Sequence, residues 1–200
     1  MKKENFGING KKLGAYIKNE SKRTSKSMLL HTVEDENGEP YVYFISAYLA
    51  LRVPMWLYRD ILQPYTMTDA PEMGQTKGLD GKMRDEKYLV EKVADMFSNS
   101  ALRPAQDTRF SADIGTGGKW QSVQLFALED GTPVAVNSDY SGIFERGQYV
   151  KYEGSAKYNP IIIKGQYIHG LVLPIRIKDE LYGRMEALCK CFAVPVEHAA

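Results

Sequence analysis

The chain has 200 residues, 44% of them hydrophobic and 26% charged, with a net charge of +1. That length suits one large domain or two small, closely packed ones, and the composition excludes a disordered polymer. No apolar run approaches the ~18–20 residues that span a bilayer, and "MKKENFGINGKK" lacks the apolar stretch of a secretory signal, so the expectation is a cytoplasmic protein with no membrane partner.

Residues 1–27 hold eight Lys/Arg against Glu4 and Glu20, a local charge of +6 that leaves −5 for the remainder. This basic arm, with Lys11, Lys12, Lys22 and Arg23, suits a phosphate backbone or an acidic partner. The plainer alternative is a solvated helix face followed by a flexible loop, "KNESKRTSKS". Leu13, Tyr16 and Ile17 stand at i, i+3, i+4 and predict a short amphipathic helix. "SMLLHTVED" and "YVYFIS" predict a hairpin across Asn37-Gly38, two residues that tolerate positive φ. In "VPMWLYRDILQP", Pro54 fits the first turn of a helix and Pro64 ends it. Residues 64–84 have loop composition. "RDEKYLVEKVADMF" predicts a helix with Asp85 as N-cap and a stripe of Leu89, Val90, Val93, Met96 and Phe97.

Residues 99–118 again have loop composition, closing in "DIGTGG". The second half is β-rich. "KWQSVQLFALED", with Trp120, Val123, Leu125 and Ala127 in imperfect alternation, turns through "DGTP" into "VAVNS". "GQYVKYEG", "YNPIIIKGQ" and "YIHGLVLPIRI" predict three more strands. "KDELYGRMEALCKCF" predicts a closing helix with Leu181, Met185, Leu188 and Phe192 on one stripe. The fold class expected is α+β: antiparallel sheets from repeated hairpin units with a few covering helices. Its organisation is a basic arm (1–27), a first α/β half (28–98), a loop or linker (99–118) and a second, β-rich half with a C-terminal helix (119–200).

"GEPYVYFISAYLAL" (38–51) and "GTPVAVNSDYSGIF" (131–144) say nearly the same thing. Each opens on Gly-x-Pro, continues as an apolar strand and reaches Ser-x-Tyr. Pro40 to Ser46 is six steps and Pro133 to Ser138 is five. Duplication and convergent turn-and-strand chemistry both account for the pair.

At "GTPVAVNSDYSGIFE" and "NPIIIKGQYIHGLVLPIRI" the sequence resembles the end of a DNA sliding-clamp subunit. There a strand runs into a short helix with the pattern V-x-V-x-x-x-Y-x-x-x-F, a Pro-initiated strand follows, and an apolar strand much like "LVMPIRL" closes the subunit. "YVYFISAYLALRVP" (41–54) is a looser echo of the same unit. The long segments 64–84 and 99–118 and the helix from Lys178 to Phe192 have no counterpart in that pattern. The resemblance implies a clamp-like architecture, a place in DNA metabolism and a homo-oligomer, or a phage or plasmid protein that borrows the fold to bind something else.

Catalytic signatures are not found. His31, His169 and His198 lie in no nucleophile or metal motif, and Cys189 and Cys191, two apart in "LCKCF", lack the further ligands of a zinc site and suit buried or half-buried free thiols. Asp80, Asp85 and Glu86 are close in sequence but lack the spacing of a nuclease or calcium loop, and Asp69, Asp80 and Asp113 suit turn chemistry. "DIGTGGK" departs from a phosphate-binding loop because Trp120 and Gln121 lead into a strand, not a helix. "ERGQYVKYEGSAKYNPIIIKGQY" interleaves Arg146, Lys151, Lys157 and Lys164 with Tyr149, Tyr152, Tyr158 and Tyr167. Such a surface suits single-stranded nucleic acid, a protein interface or ordinary amphipathic strands. The expectation is a non-enzymatic interaction protein without cofactor or metal, phage-encoded, acting on a nucleic-acid-processing enzyme or its nucleic acid. The alternatives are a phage inhibitor of a host defence nuclease, of the anti-CRISPR type, and a small metal-dependent hydrolase or nuclease. The contact residues expected are Lys11, Lys12, Lys22, Arg23, Arg146, Tyr149, Lys151, Tyr152, Lys157 and Tyr158.

Overall fold

In the computed structural model, which describes residues 6–24, 28–116, 119–147 and 149–193, the chain forms six helices and eleven strands. The first half comprises α1 (Gly10–Thr24), β1 (Leu29–Glu34), β2 (Pro40–Ile45), β3 (Leu49–Pro54), α2 (Met55–Ile61), α3 (Gln63–Thr66), β4 (Thr76–Gly78), β5 (Met83–Arg84) and α4 (Lys87–Phe97). The second comprises β6 (Arg103–Thr116), β7 (Lys119–Leu128), β8 (Pro133–Asn137), α5 (Ser138–Ser141), β9 (Lys151–Gly154), β10 (Ile161–Lys164), β11 (His169–Val172) and α6 (Asp179–Lys190). The α+β class holds. One antiparallel sheet carries both halves in the order β5-β4-β1-β2-β3-β11-β10-β9-β6-β7-β8. Its far edge curls back, because Ile175 donates its N–H to Ala135 of β8 just after β11 has ended.

Apolar runs such as "YVYFI" do not alternate with polar residues because these strands are covered on both faces. Val42 and Phe44 of β2 and Ile161 and Ile163 of β10 enter a core shared with α1, α2, Val134 and Val136. Tyr43, Ile45 and Ile162 point the other way, against Val90, Val93 and Phe97 of α4. α6 covers the same outer side farther along, setting Met185 and Cys189 on Val123, Leu125 and Ala135. Burial of the Cys189 thiol pushes its pKa up to about 12, while Cys191 is exposed.

Several expectations are corrected. Residues 64–84 are not one loop: Pro64 sits in the first turn of α3 rather than only ending α2, and β4 and β5 follow. "LALRVP" is strand β3, with Pro54 at the N-cap of α2. The segment 99–118 contains the 14-residue β6, the longest strand. Its outer surface is wet: of Arg103–Gly115 only Thr108 and Ile114 are buried, so no apolar alternation marks it. Gly117 and Gly118 of the "DIGTGG" stretch lie outside the described residues. The loop expected in "KNESKRTSKS" is helix as far as Thr24; Ser25–Ser27 lie outside the described residues. Glu86, not Asp85, is the N-cap of α4, and it makes no capping bond. Trp120 is 79% exposed, on the opposite face from Val123, Leu125 and Ala127. The hairpin turn uses positive φ at Gly38 (78°) and not at Asn37.

Candidate nucleic-acid interface

α1 buries Leu13, Tyr16, Ile17 and Glu20. At 3.6 residues per turn, Lys11, Lys18 and Lys22 fall within about 40° of one another on the opposite side, and all three are exposed, as is Lys12 beside them. None of the four is ion-paired among the described residues. Arg23 belongs to α1, but its side chain lies outside the described residues.

The second element of the site is built by a bulge. The β6–β7 register shifts between Asp107 and Ser111, and Arg109 takes φ +59°, uncommon for a residue with a Cβ. The bulge turns Asp107 into an acceptor for three donors. Its Oδ1 receives the Arg109 N–H at 2.8 Å and Gln124 Nε2 at 2.6 Å, and its Oδ2 faces Arg146 Nε at 2.9 Å. The Asp107 side chain is 10% exposed and that of Arg146 56%, so a sunken carboxylate anchors a guanidinium that still faces water. Arg146 and Lys12 line one cavity of about 430 Å³ with Ser111, Ser122, Ser138 and Ser141; Asp139 is its acid. Arg146 also lines a cavity of about 760 Å³ with Arg109, Lys151, Tyr152, Asp107 and Glu153. A third, of about 520 Å³, sets it beside Tyr149, which is 68% exposed.

The structure therefore joins Lys12, Arg146, Tyr149, Lys151 and Tyr152 into neighbouring surfaces around Arg146. Tyr152 is half-buried with its ring 5.0 Å from that of Phe126, and burial, then the Asp107 carboxylate, raise its pKa. Lys157 and Tyr158 are placed elsewhere: Lys157 Nζ stands 3.2 Å from the Tyr182 ring centroid of α6 and 4.9 Å from that of Tyr158, with Asp179 at 3.9 Å. That pair holds α6 to the β9–β10 connection. Arg109 was missed, because nothing in "DTRF" announces a bulge. The loop carboxylates do not converge either. Asp80 is bound by the Lys82 N–H and by Arg84 at 2.6 Å, which hold its pKa down, while Asp113 opposes Ser122 between β6 and β7.

A polar row also crosses the sheet, invisible along the chain. Cross-strand pairing aligns Arg84, Thr76, His31 and Tyr43, and continues through Arg52, His169, Lys164 and Lys151. His31 Nδ1 lies 2.9 Å from Thr76 Oγ1. Burial lowers the pKa of His31; burial and then the Arg52 and Lys164 charges lower that of His169. Arg52 stacks 4.0 Å from the Tyr41 centroid and 3.7 Å from Asp35, with its Nε buried and unpaired. Near it, Phe6, Trp56 and Tyr167 meet edge to face at 5.5–6.2 Å, Trp56 being 61% exposed.

No protein-family model matches the chain, and no curated protein does. Among solved structures, the DNA polymerase III subunit beta of Borrelia burgdorferi, determined in complex with a natural product, is similar with a TM-score of 0.36 and 8% identity, covering 86% of this chain. The chain spans 64% of that subunit, under two thirds of its length. This is a weak likeness, at the level of the fold only. No helix among the described residues is long and apolar enough to cross a membrane.

Proposed function

We propose that the chain is a non-catalytic binding protein of DNA metabolism that holds single-stranded nucleic acid along α1 and the Arg146 surface. The observation that carries this reading is the meeting of Lys12 and Arg146 at one serine-lined cavity, beside a lysine stripe with no ion-pair partner among the described residues. Lysine, arginine and serine side chains are the groups that contact phosphate oxygens. The exposed ring of Tyr149, in the next cavity, offers a face on which a base stacks. Asp107 contributes by holding Arg146 in place without covering it. Hydrolysis by the loop carboxylates is not part of the proposal, since Asp80 is tied to Arg84.

The test is fluorescence anisotropy with a labelled oligothymidine. Phosphate contacts from Lys11, Lys12, Lys18, Lys22 and Arg146 predict a fall in affinity of about a hundredfold between about 50 and 200 mM salt, from counterion release. The triple variant Lys11→Glu, Lys18→Glu, Lys22→Glu should weaken binding and flatten that dependence, and Arg146→Ala should weaken it further. Affinity indifferent to salt and to both variants sinks the reading.

A further inference from the structure

A cavity of about 880 Å³ lies on the other side of the sheet from α1, between α4 and the β1–β2 turn. Its floor is apolar and aromatic: Val33, Tyr43, Val90, Ala94 and Phe97 line it, with the Tyr43 and Phe97 rings stacked at 5.8 Å. Its rim is charged, and the charges do not balance. Every cation in the lining already faces a carboxylate: Arg52 faces Asp35 at 3.7 Å, Arg84 faces Asp80 at 2.6 Å and Lys87 faces Glu91 at 3.7 Å. Glu34, Glu36, Asp85 and Glu86 line the same groove, are exposed and join no ion pair among the described residues. His31 does not offset them, because burial favours its neutral form.

We infer that this groove docks a basic peptide segment of a protein partner, one whose lysine or arginine side chains alternate with apolar residues. An apolar floor accepts the aliphatic stems of such side chains while their charged ends reach the rim carboxylates. Nucleic acid is repelled by the same four carboxylates. A metal ion is a poor occupant, since no group of three or more His, Cys, Asp or Glu among the described residues is placed to hold one. The two sides of the sheet then serve different ligands, phosphate at α1 and a cationic chain at α4. The second assignment stands whether or not the first does.

The probe is a fluorescein-labelled octapeptide of alternating lysine and leucine, with a glutamate-for-lysine peptide as its counterpart. The lysine peptide should bind and the glutamate peptide should not. The variant Glu34→Gln, Glu36→Gln, Glu86→Gln should lose about tenfold or more in affinity with an unchanged thermal melt, because the Glu86 side chain makes no capping bond to α4 and all three side chains are exposed. Equal binding of the two peptides, or full affinity in the neutralised variant, overturns the inference. Displacement of the lysine peptide by an equal concentration of spermidine also overturns it, reducing the groove to a site for free polyamines. A failure of oligothymidine binding leaves this experiment's outcome unaffected.

Discussion

In the β1–β2 hairpin, Gly38 donates its N–H to Asp35 and Asp35 donates to Glu39; in β7–β8, Gly131 donates to Leu128 and Leu128 to Thr132. Both glycines sit at φ near 80°, and Pro40 and Pro133 follow each at the same distance. The turns are the same, yet the strands leaving them show opposite faces to the shared core. Counting from the proline, β2 points its second and fourth residues beyond it inward, Val42 and Phe44, whereas β8 points its first and third, Val134 and Val136. A shift of one residue flips every side chain of a strand. The missing step between Pro133 and Ser138 restores the phase, so that Ser46 and Ser138 arrive on the same side. The Ser-x-Tyr corners then meet, Tyr48 stacked on Tyr140 at 5.7 Å and 14°, with Tyr16 bonded to Ser46 and edge-on to Tyr140. A corner repeated in sequence is a contact in space. Past the corner the copies part. Asn137 accepts the Asp139 N–H at 2.8 Å and starts α5, whereas Ile45 occupies the position before Ser46 and the chain turns back as β3.

Three experiments probe this comparison. Phe44→Ala empties the fully buried inward position of the first copy and should cost about 3–5 kcal/mol in chemical denaturation; a loss under about 1 kcal/mol would deny that β2 feeds the common core. Asn137→Ala removes the cap that distinguishes the second copy and should cost about 1 kcal/mol. No change there would mean that α5 starts for another reason. The double-mutant cycle Tyr48→Ala with Tyr140→Ala should return a coupling of about 0.5–1.5 kcal/mol. Strict additivity would show that the corners are adjacent without being joined.

What could be read from the sequence was what is written along it. The stripe of α4 was legible because Val90, Val93 and Phe97 recur at helical spacing, and Gly-x-Pro was legible because its turn needs a glycine at positive φ. The lysines of α1 were legible as charge. β6 was not, since its exposed residues carry no period and its bulge exists only against β7. Arg146 was legible as a basic residue among tyrosines, but its anchoring by Asp107 depends on Arg109 taking a backbone conformation that no local pattern demands. The row from Arg84 to Lys151 runs perpendicular to the chain, one residue per strand, and a sequence does not record that direction.

The pairing of Ala50 with Leu171 joins β3 to β11 across about 120 residues of chain. At roughly 5–20 residues per second of synthesis, β3 waits on the order of ten seconds for its neighbour. During that interval "LALRV", made to be covered on both faces, is an open edge of apolar strand. Such edges recruit other strands. Newly made chains should thus depend on a chaperone to cover this edge until "HGLV" has been synthesised and pairs with it.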